Sequence, residues 1–248
     1  LTYDVSKIGR CTRDISYISG YASIETSNKI IESIDRKILP DSLAFLPETS
    51  MKVSRLIGKN IFEWGTIFRE FKPYPYFDKK VAIIPGFSLF SKDMKNPTDK
   101  LLINQFIEIS GQKPEEYLWN ILRMTVDAYW ELNLKCALRP ELHGQNCLYE
   151  LDSDFKITRI IIKDMEDVDR DLLLAQYMGI STNWVTYPFR CYDENSQEIE
   201  FRASYMYDFK LGEYLLSPII NAVSNEFKLN QKTFEKKVKE YVRSKYLL

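Results

Sequence analysis

Residues 147–164 constrain this chain most. They read CLYEL, then DSD, then FKITRIIIKD: two apolar runs of strand composition separated by three turn-forming residues. That is a hairpin signal, part of a sheet on which helices are expected to pack. The material to cover it lies on either flank. Pro114 opens a long helical pattern, with Glu115 and Glu116 in its first turn and Leu118, Leu122, Val126 and Tyr129 on one face. Proline in the first turn and acids near the amino end both favour a helix start. Helical spacing returns over roughly 207–227 and again from Gln231 to Tyr246.

The amino-terminal half mixes the two periods. Residues 1–8 alternate like a strand, and a helix is expected over roughly 24–38, ending before Pro40. Leu43–Pro47, Gly65–Phe71 and Lys80–Phe87 read as strands, and Leu101–Ile109 is apolar at helical spacing. The expected class is α+β, an antiparallel sheet with helices packed on it.

Composition narrows the function classes. With 34 basic and 35 acidic residues in 248, the net charge of −1 argues against a general nucleic-acid binder. No apolar run approaches a bilayer span, and no export signal opens the chain, so no membrane role and a cytoplasmic setting are expected. Cys11, Cys136, Cys147 and Cys191 are far apart and form no CxxC pair, which fits a reducing compartment without zinc. The first residue is Leu1 rather than Met, so the chain reads as a processed or excised piece. The last helix carries Lys232, Lys236, Lys237, Lys239, Arg243 and Lys245, a basic run that reads as a solvated face.

The only histidine, His143, lies in Arg139-Pro-Glu-Leu-His-Gly-Gln-Asn146, immediately before the hairpin. If Leu151 pairs with Phe155 across a three-residue loop, Asp164 falls opposite Leu142 and Lys163 opposite His143. Glu141, His143, Gln145, Asn146, Lys163 and Asp164 then gather at one end of the hairpin. Glu141, Asn146 and Asp164 offer hard oxygen donors of the kind Mg²⁺ takes beside phosphates, and His143 and Lys163 suit an anion. Simpler readings stand beside this one: a Glu141–Lys163 salt bridge, a structural histidine, and Gly144 and Asn146 shaping a turn.

ELHGQN, followed by a hairpin ending in KD, resembles the Glu-x-His-x-Gln-Asn … Arg-Asp pattern of the NRPS-independent siderophore synthetases, the IucA/IucC family. KIGRCTRDIS (7–16) is similar to that family's Ile-Thr-Ser-x-x-Arg-Thr segment, with Arg13 on its arginine. WGTIFRE (64–70) resembles a later strand ending in Arg-Glu, and SYMYDFKLGEYLLSPIINAV (204–223) resembles a helix near the C-terminal end. The resemblance covers most of this chain but about the C-terminal half of the usual family protein. It implies a palm-like α+β region over 1–203 and a C-terminal helical segment over 204–248.

It also implies iron-acquisition chemistry: condensation of a citrate-like carboxylic acid with an amine or alcohol through an acyl adenylate made from ATP with Mg²⁺. His143 and Arg13 would then contact substrate carboxylates and developing charge. Gln145, Lys163 and Asp164 would line the nucleotide pocket, Glu141 and Asn146 would hold Mg²⁺ or phosphate, and Arg69 is a further candidate in the same cleft. A homodimer is the expected assembly. Arg69 also reads as a strand-end salt bridge with Glu70 or another acid. The chain departs from the family in placing Gly9 and Arg10 at the Thr-Ser positions, Asp14 at the next Thr and Lys163 at the Arg of Arg-Asp. The family's upstream Ser-rich ATP loop and His-Pro motif have no counterpart here. Those departures leave a non-catalytic binding or assembly module as an alternative. A kinase-like phosphotransferase is weaker: Gln145 stands where such enzymes place a catalytic Asp, and no Gly-rich phosphate loop precedes it.

Overall fold

A computed structural model describes residues 16–57, 61–77, 82–196 and 198–246. Arg13 and the strand expected over 1–8 lie outside these residues.

The first element is a helix, α1 (Tyr17–Asp35), which starts earlier than the expected 24. Ser16 caps it: its hydroxyl accepts from Ser19 N at 3.0 Å, while the Ser19 hydroxyl accepts from Ser16 N at 3.1 Å. This reciprocal box satisfies two amino-terminal N–H groups that a helix otherwise leaves bare. The early turns escape an apolar-period reading because their buried face is small and polar: Ser19, Gly20, Ser23, Thr26 and Ser27. Such a face lets other backbone approach closely.

Strands β1 (Leu43–Phe45), β2 (Glu48–Ile57) and β3 (Ile61–Arg69) follow. Strands β2 and β3 form a separate antiparallel ribbon with Glu48 opposite Arg69 at its base. Next come β4 (Ala82–Pro85), α2 (Gly86–Phe90), α3 (Leu102–Ser110), α4 (Pro114–Cys136) and β5 (Leu138–Arg139). The hairpin is β6 (Cys147–Leu151) and β7 (Ile157–Ile162). It lies at the centre of a four-stranded sheet ordered β1-β7-β6-β4, antiparallel except for the β1 edge, which runs parallel to β7. The class is α+β, as expected.

The hairpin register differs from expectation. Cys147 faces Ile162 and Glu150 faces Arg159, so Lys163 comes opposite Asn146, not His143. Two features add residues to the turn. Phe155 takes a left-handed conformation (φ 59°), and an irregularity falls between Glu150 and Leu151. Pairing continues one step beyond the strands, where Lys163 N donates to Asn146 O at 3.0 Å.

After β7 a short 3₁₀ turn (Met165–Asp167) leads into β8 (Asp169–Asp171), α5 (Leu172–Met178) and β9 (Cys191–Tyr192); β8 joins β5 and β9 in a second small sheet. Helix α6 (Ile199–Ser204) runs into a π-helical stretch (Tyr205–Leu216), then α7 (Ser217–Phe227) and α8 (Gln231–Tyr246). The core is continuous from Ile30 and Phe45 through Leu118, Leu122, Tyr149 and Ile160 to Leu211, Leu215 and Ile219. In α8, Phe234, Val238 and Val242 are buried, opposite the exposed Lys236 and Lys239. Among the described residues no helix is long and apolar enough to cross a membrane.

Candidate functional site

The turn before β6 builds the first wall. His143 O accepts from Asn146 N at 2.9 Å and from Cys147 N at 3.1 Å, closing a tight loop over Gly144 and Gln145. Gly144 is required here. A Cβ on it would lie 2.9 Å from Phe87 N and 3.1 Å from Phe87 Cα, while Phe87 N already donates to Gly144 O at 2.9 Å. Gly144→Ala must therefore push the loop away from α2, and we expect it to destabilise the protein by about 1–3 kcal/mol, the usual range for overpacking. Chemical denaturation checks this, and an unchanged midpoint would show that α2 yields freely.

His143 is fixed at one ring nitrogen and lies near a carboxylate at the other. Its Nδ1 accepts from Gln145 N at 3.2 Å, which places the proton of the neutral ring on Nε2. Nε2 lies 4.0 Å from Glu141 Oε2, and Glu141 Oε1 is 2.6 Å from Lys210 Nζ in the π-helical stretch. Burial lowers the His143 pKa below its usual value. Glu141 works against that shift and Lys210 reinforces it. At neutral pH the ring is therefore a neutral Nε2–H donor. Glu141 pairs with Lys210 and not with Lys163.

The second wall is at the end of β7. Asp164 adopts a left-handed conformation (φ 73°), which aspartate tolerates better than most residues, and this turns the chain sharply into the 3₁₀ turn. Its Oδ1 lies 3.3 Å from an Arg69 amino group. The Arg69 Nε donates to Glu48 Oε1 at 2.9 Å, and an Arg69 amino group contacts the same oxygen. Glu48 is fully buried: the Ser23 hydroxyl donates to its carboxylate, and its backbone N donates to Ser27 Oγ at 2.9 Å. Burial pushes the Glu48 carboxyl up to about 7 despite Arg69. Burial also lowers the Lys163 pKa, against the pull of Asp164. So Arg69 is a strand-end ion pair, but with Glu48 and Asp164 instead of Glu70.

Behind these walls the alternation of β8 sorts charge. Asp169 meets Arg202 at 2.7 Å and Arg190 at 3.5 Å, Asp171 meets Arg139, and Asp167 meets Arg190. Arg170 points the other way, towards α1. Opposite-facing neighbours along a strand make this separation automatic. An open cleft of about 420 Å³ lies on the outer side of His143, lined by Phe87, Phe90, His143, Gly144, Gln145 and Tyr214.

The structure thus joins Glu141, His143 and Gln145 in one group, and Arg69, Lys163 and Asp164 in another, with Asn146 bridging by its backbone to Lys163. Sequence reasoning missed Glu48, Lys210 and the aromatic walls Phe87 and Tyr214. Only the ribbon register could have exposed Glu48, because its strand neighbours are ordinary polar residues. Among the described residues no group of three or more His, Cys, Asp or Glu side chains is arranged to hold a metal ion. The Asn146 side-chain oxygen is buried without a hydrogen-bond partner. That donor set fits a hard ion that brings most of its oxygens with it, as Mg²⁺ does on a triphosphate, and does not fit an all-protein cage.

No protein-family model matches the sequence, and no curated protein matches it at a significant level. The fold does match solved structures. The petrobactin biosynthesis protein AsbB from Bacillus anthracis str. Sterne superposes on 94% of this chain and 40% of its own, at a TM-score of 0.76 and 15% identity. The ATP-bound aerobactin synthetase IucA from a hypervirulent pathotype of Klebsiella pneumoniae covers 95% of this chain and 42% of its own, at 0.71 and 9%. Aerobactin synthetase IucC from the same source gives 0.61 and 14%, over 96% of this chain and 44% of its own. At such identities the likeness is one of fold, and the chain spans about two fifths of these neighbours' length.

Proposed function

We propose that this chain is the C-terminal portion of a siderophore synthetase. The proposed activity joins a citrate-like carboxylic acid to an amine or alcohol through an acyl adenylate made from ATP. The observation that supports it most is a coincidence. The stretch whose residues resemble the synthetase pattern, Glu141 to Asp164, folds into two charged groups joined by the Asn146–Lys163 backbone bond, within a chain that shares its fold with these synthetases.

The chemistry sets the demands. An acid oxygen attacks the α-phosphorus and pyrophosphate leaves; the amine or alcohol then attacks the acyl carbon and AMP leaves. Two anions must meet in the first step, so cations have to offset their repulsion. In this reading Arg69 holds the acid, with Arg13 as a second candidate for a carboxylate; a guanidinium fork suits that group. His143, neutral and with Nε2–H free to reorient from Glu141, donates to the oxygen that gains charge. Gln145, Lys163 and Asp164 take the nucleotide side. Glu141 and the unpartnered Asn146 oxygen fit Mg²⁺ arriving on the phosphates, where the ion would neutralise phosphate charge.

Calorimetric titration of the chain with ATP in the presence of Mg²⁺ tests the assignment. His143→Ala and Asp164→Ala should each weaken binding by about tenfold, the loss of one charge-assisted or neutral hydrogen bond in a partly buried site. No binding by the parent chain, or undiminished binding by both variants, would remove the basis for the reading.

A further inference from the structure

Among the described residues, the Arg69 side of the site contains more acid than its cations can neutralise once an anion arrives. Glu48 and Asp164 share the single guanidinium of Arg69. Among the described residues, the charged groups facing Glu48 come from two other elements: Arg69 at the end of β3, and Lys163 with Asp164 after β7. Helix α1 contributes only the hydroxyls of Ser23 and Ser27, and the 3₁₀ turn contributes the Met165 N–H. With all four side chains ionised, the group is neutral: two cations, two carboxylates. A carboxylate ligand bound at Arg69 would make it negative in a site where the buried Glu48 is shielded from bulk solvent.

We propose that binding of a carboxylate anion at Arg69 is accompanied by uptake of one proton at Glu48, so that the buried glutamic acid releases Arg69 to the ligand. This rests on the carboxylic-acid reading above. The alternatives are worse physically. Asp164 is partly exposed, whereas Glu48 is shut away from solvent and its carboxyl is pushed up to about 7 by burial. The Ser23 hydroxyl can serve either state, because it donates to the carboxylate and accepts from the acid. The proton comes from solvent and returns to it when the ligand leaves, so nothing else is consumed.

The consequence is a pH-dependent affinity with a definite sign. Below the free-state titration of Glu48 the proton is already present and affinity is flat. Above it, each unit of pH weakens binding by up to tenfold, until the raised titration point of the bound state is passed.

Citrate is the probe. Calorimetric titrations of the chain at pH 8, repeated in buffers of different ionisation enthalpy, should show uptake approaching one proton per citrate, and Glu48→Gln should show none. Independently, the carboxyl stretch of Glu48, identified in infrared pH titrations by its loss in Glu48→Gln, should move its midpoint upward by about two units or more with saturating citrate. Citrate binding with no proton uptake and an unmoved midpoint would overturn the proton coupling and leave the carboxylate site intact. No citrate binding at millimolar concentration would overturn both.

Discussion

Arg170→Ala is expected to lower stability by about 3–5 kcal/mol, the range for breaking a buried charge pair by removing one partner. Arg170 is among the largest fully buried side chains. Its guanidinium donates to Thr26 Oγ1 at 3.0 Å, to Tyr187 O at 2.8 Å, to Glu25 at 3.2 Å and to Ala22 O, with the Trp184 ring 5.2 Å away. It therefore pins α1 to the segment before β9 across the second sheet. Alanine would take a donor from two carbonyls, Ala22 O and Tyr187 O, and from the half-buried Glu25 carboxylate, and would leave a cavity where the guanidinium lay. Glu25 keeps its bonds from Thr186 N and Tyr187 N, so the segment should loosen before it detaches. At about 2–4 °C per kcal/mol for a chain of this size, the melting temperature should fall by roughly 6 °C or more. A fall of less than about 3 °C by calorimetry would show that water or a neighbour replaces the guanidinium.

Arg69→Ala is expected to act on binding and stability together. Without the guanidinium, a carboxylate ligand loses its fork, and affinity for citrate should drop by about 2–5 kcal/mol, some thirtyfold or more. Arg69→Lys should recover only part of this, since an ammonium has charge but no planar fork. Stability should carry a pH signature as well. In the variant, Glu48 has lost the cation that pulled its titration down, so its folded-state value rises further above that of the unfolded chain. A group raised in this way binds more protons folded than unfolded. The variant should therefore be least stable above that folded value and regain stability as pH falls towards the unfolded carboxyl range. Denaturation midpoints at a series of pH values check this; a variant equally destabilised from pH 5 to pH 9 would mean that Glu48 is not the group left stranded.

These residues show where the sequence was legible and where it was not. The long helix from Pro114 and the apolar hairpin are visible because their periods are dense in apolar side chains, and they fix the class. The placing of Glu141 and His143 on one side of the hairpin's open end and of Lys163 and Asp164 on the other follows from the hairpin itself, whatever its register; the structure sorts them into two groups and not the one expected. Their partners do not follow. The Glu48–Arg69 pair depends on the register of a two-stranded ribbon, and Lys210 reaches Glu141 from a stretch whose π-helical winding no apolar period announces. Helix α1 begins seven residues before its expected start because serine and threonine, not leucine, form its buried face. Local pattern reports burial by apolar groups; it is silent where small polar groups are buried against a specific partner.

The parallel edge of the main sheet also sets an order of events during synthesis. Strand β1 pairs with β7, more than a hundred residues later in the chain. Leu43, Ala44 and Phe45, all buried in the finished fold, have no sheet to join until β7 leaves the ribosome. Contacts of this sequence separation form slowly, because a long loop must close before they contribute. Glu48 lies just beyond β1 and holds Arg69 across the ribbon, whereas Asp164 lies just beyond β7. The act that zips β1 onto β7 is therefore the act that brings Asp164 to Arg69, and carboxylate binding should emerge only once this pairing has closed.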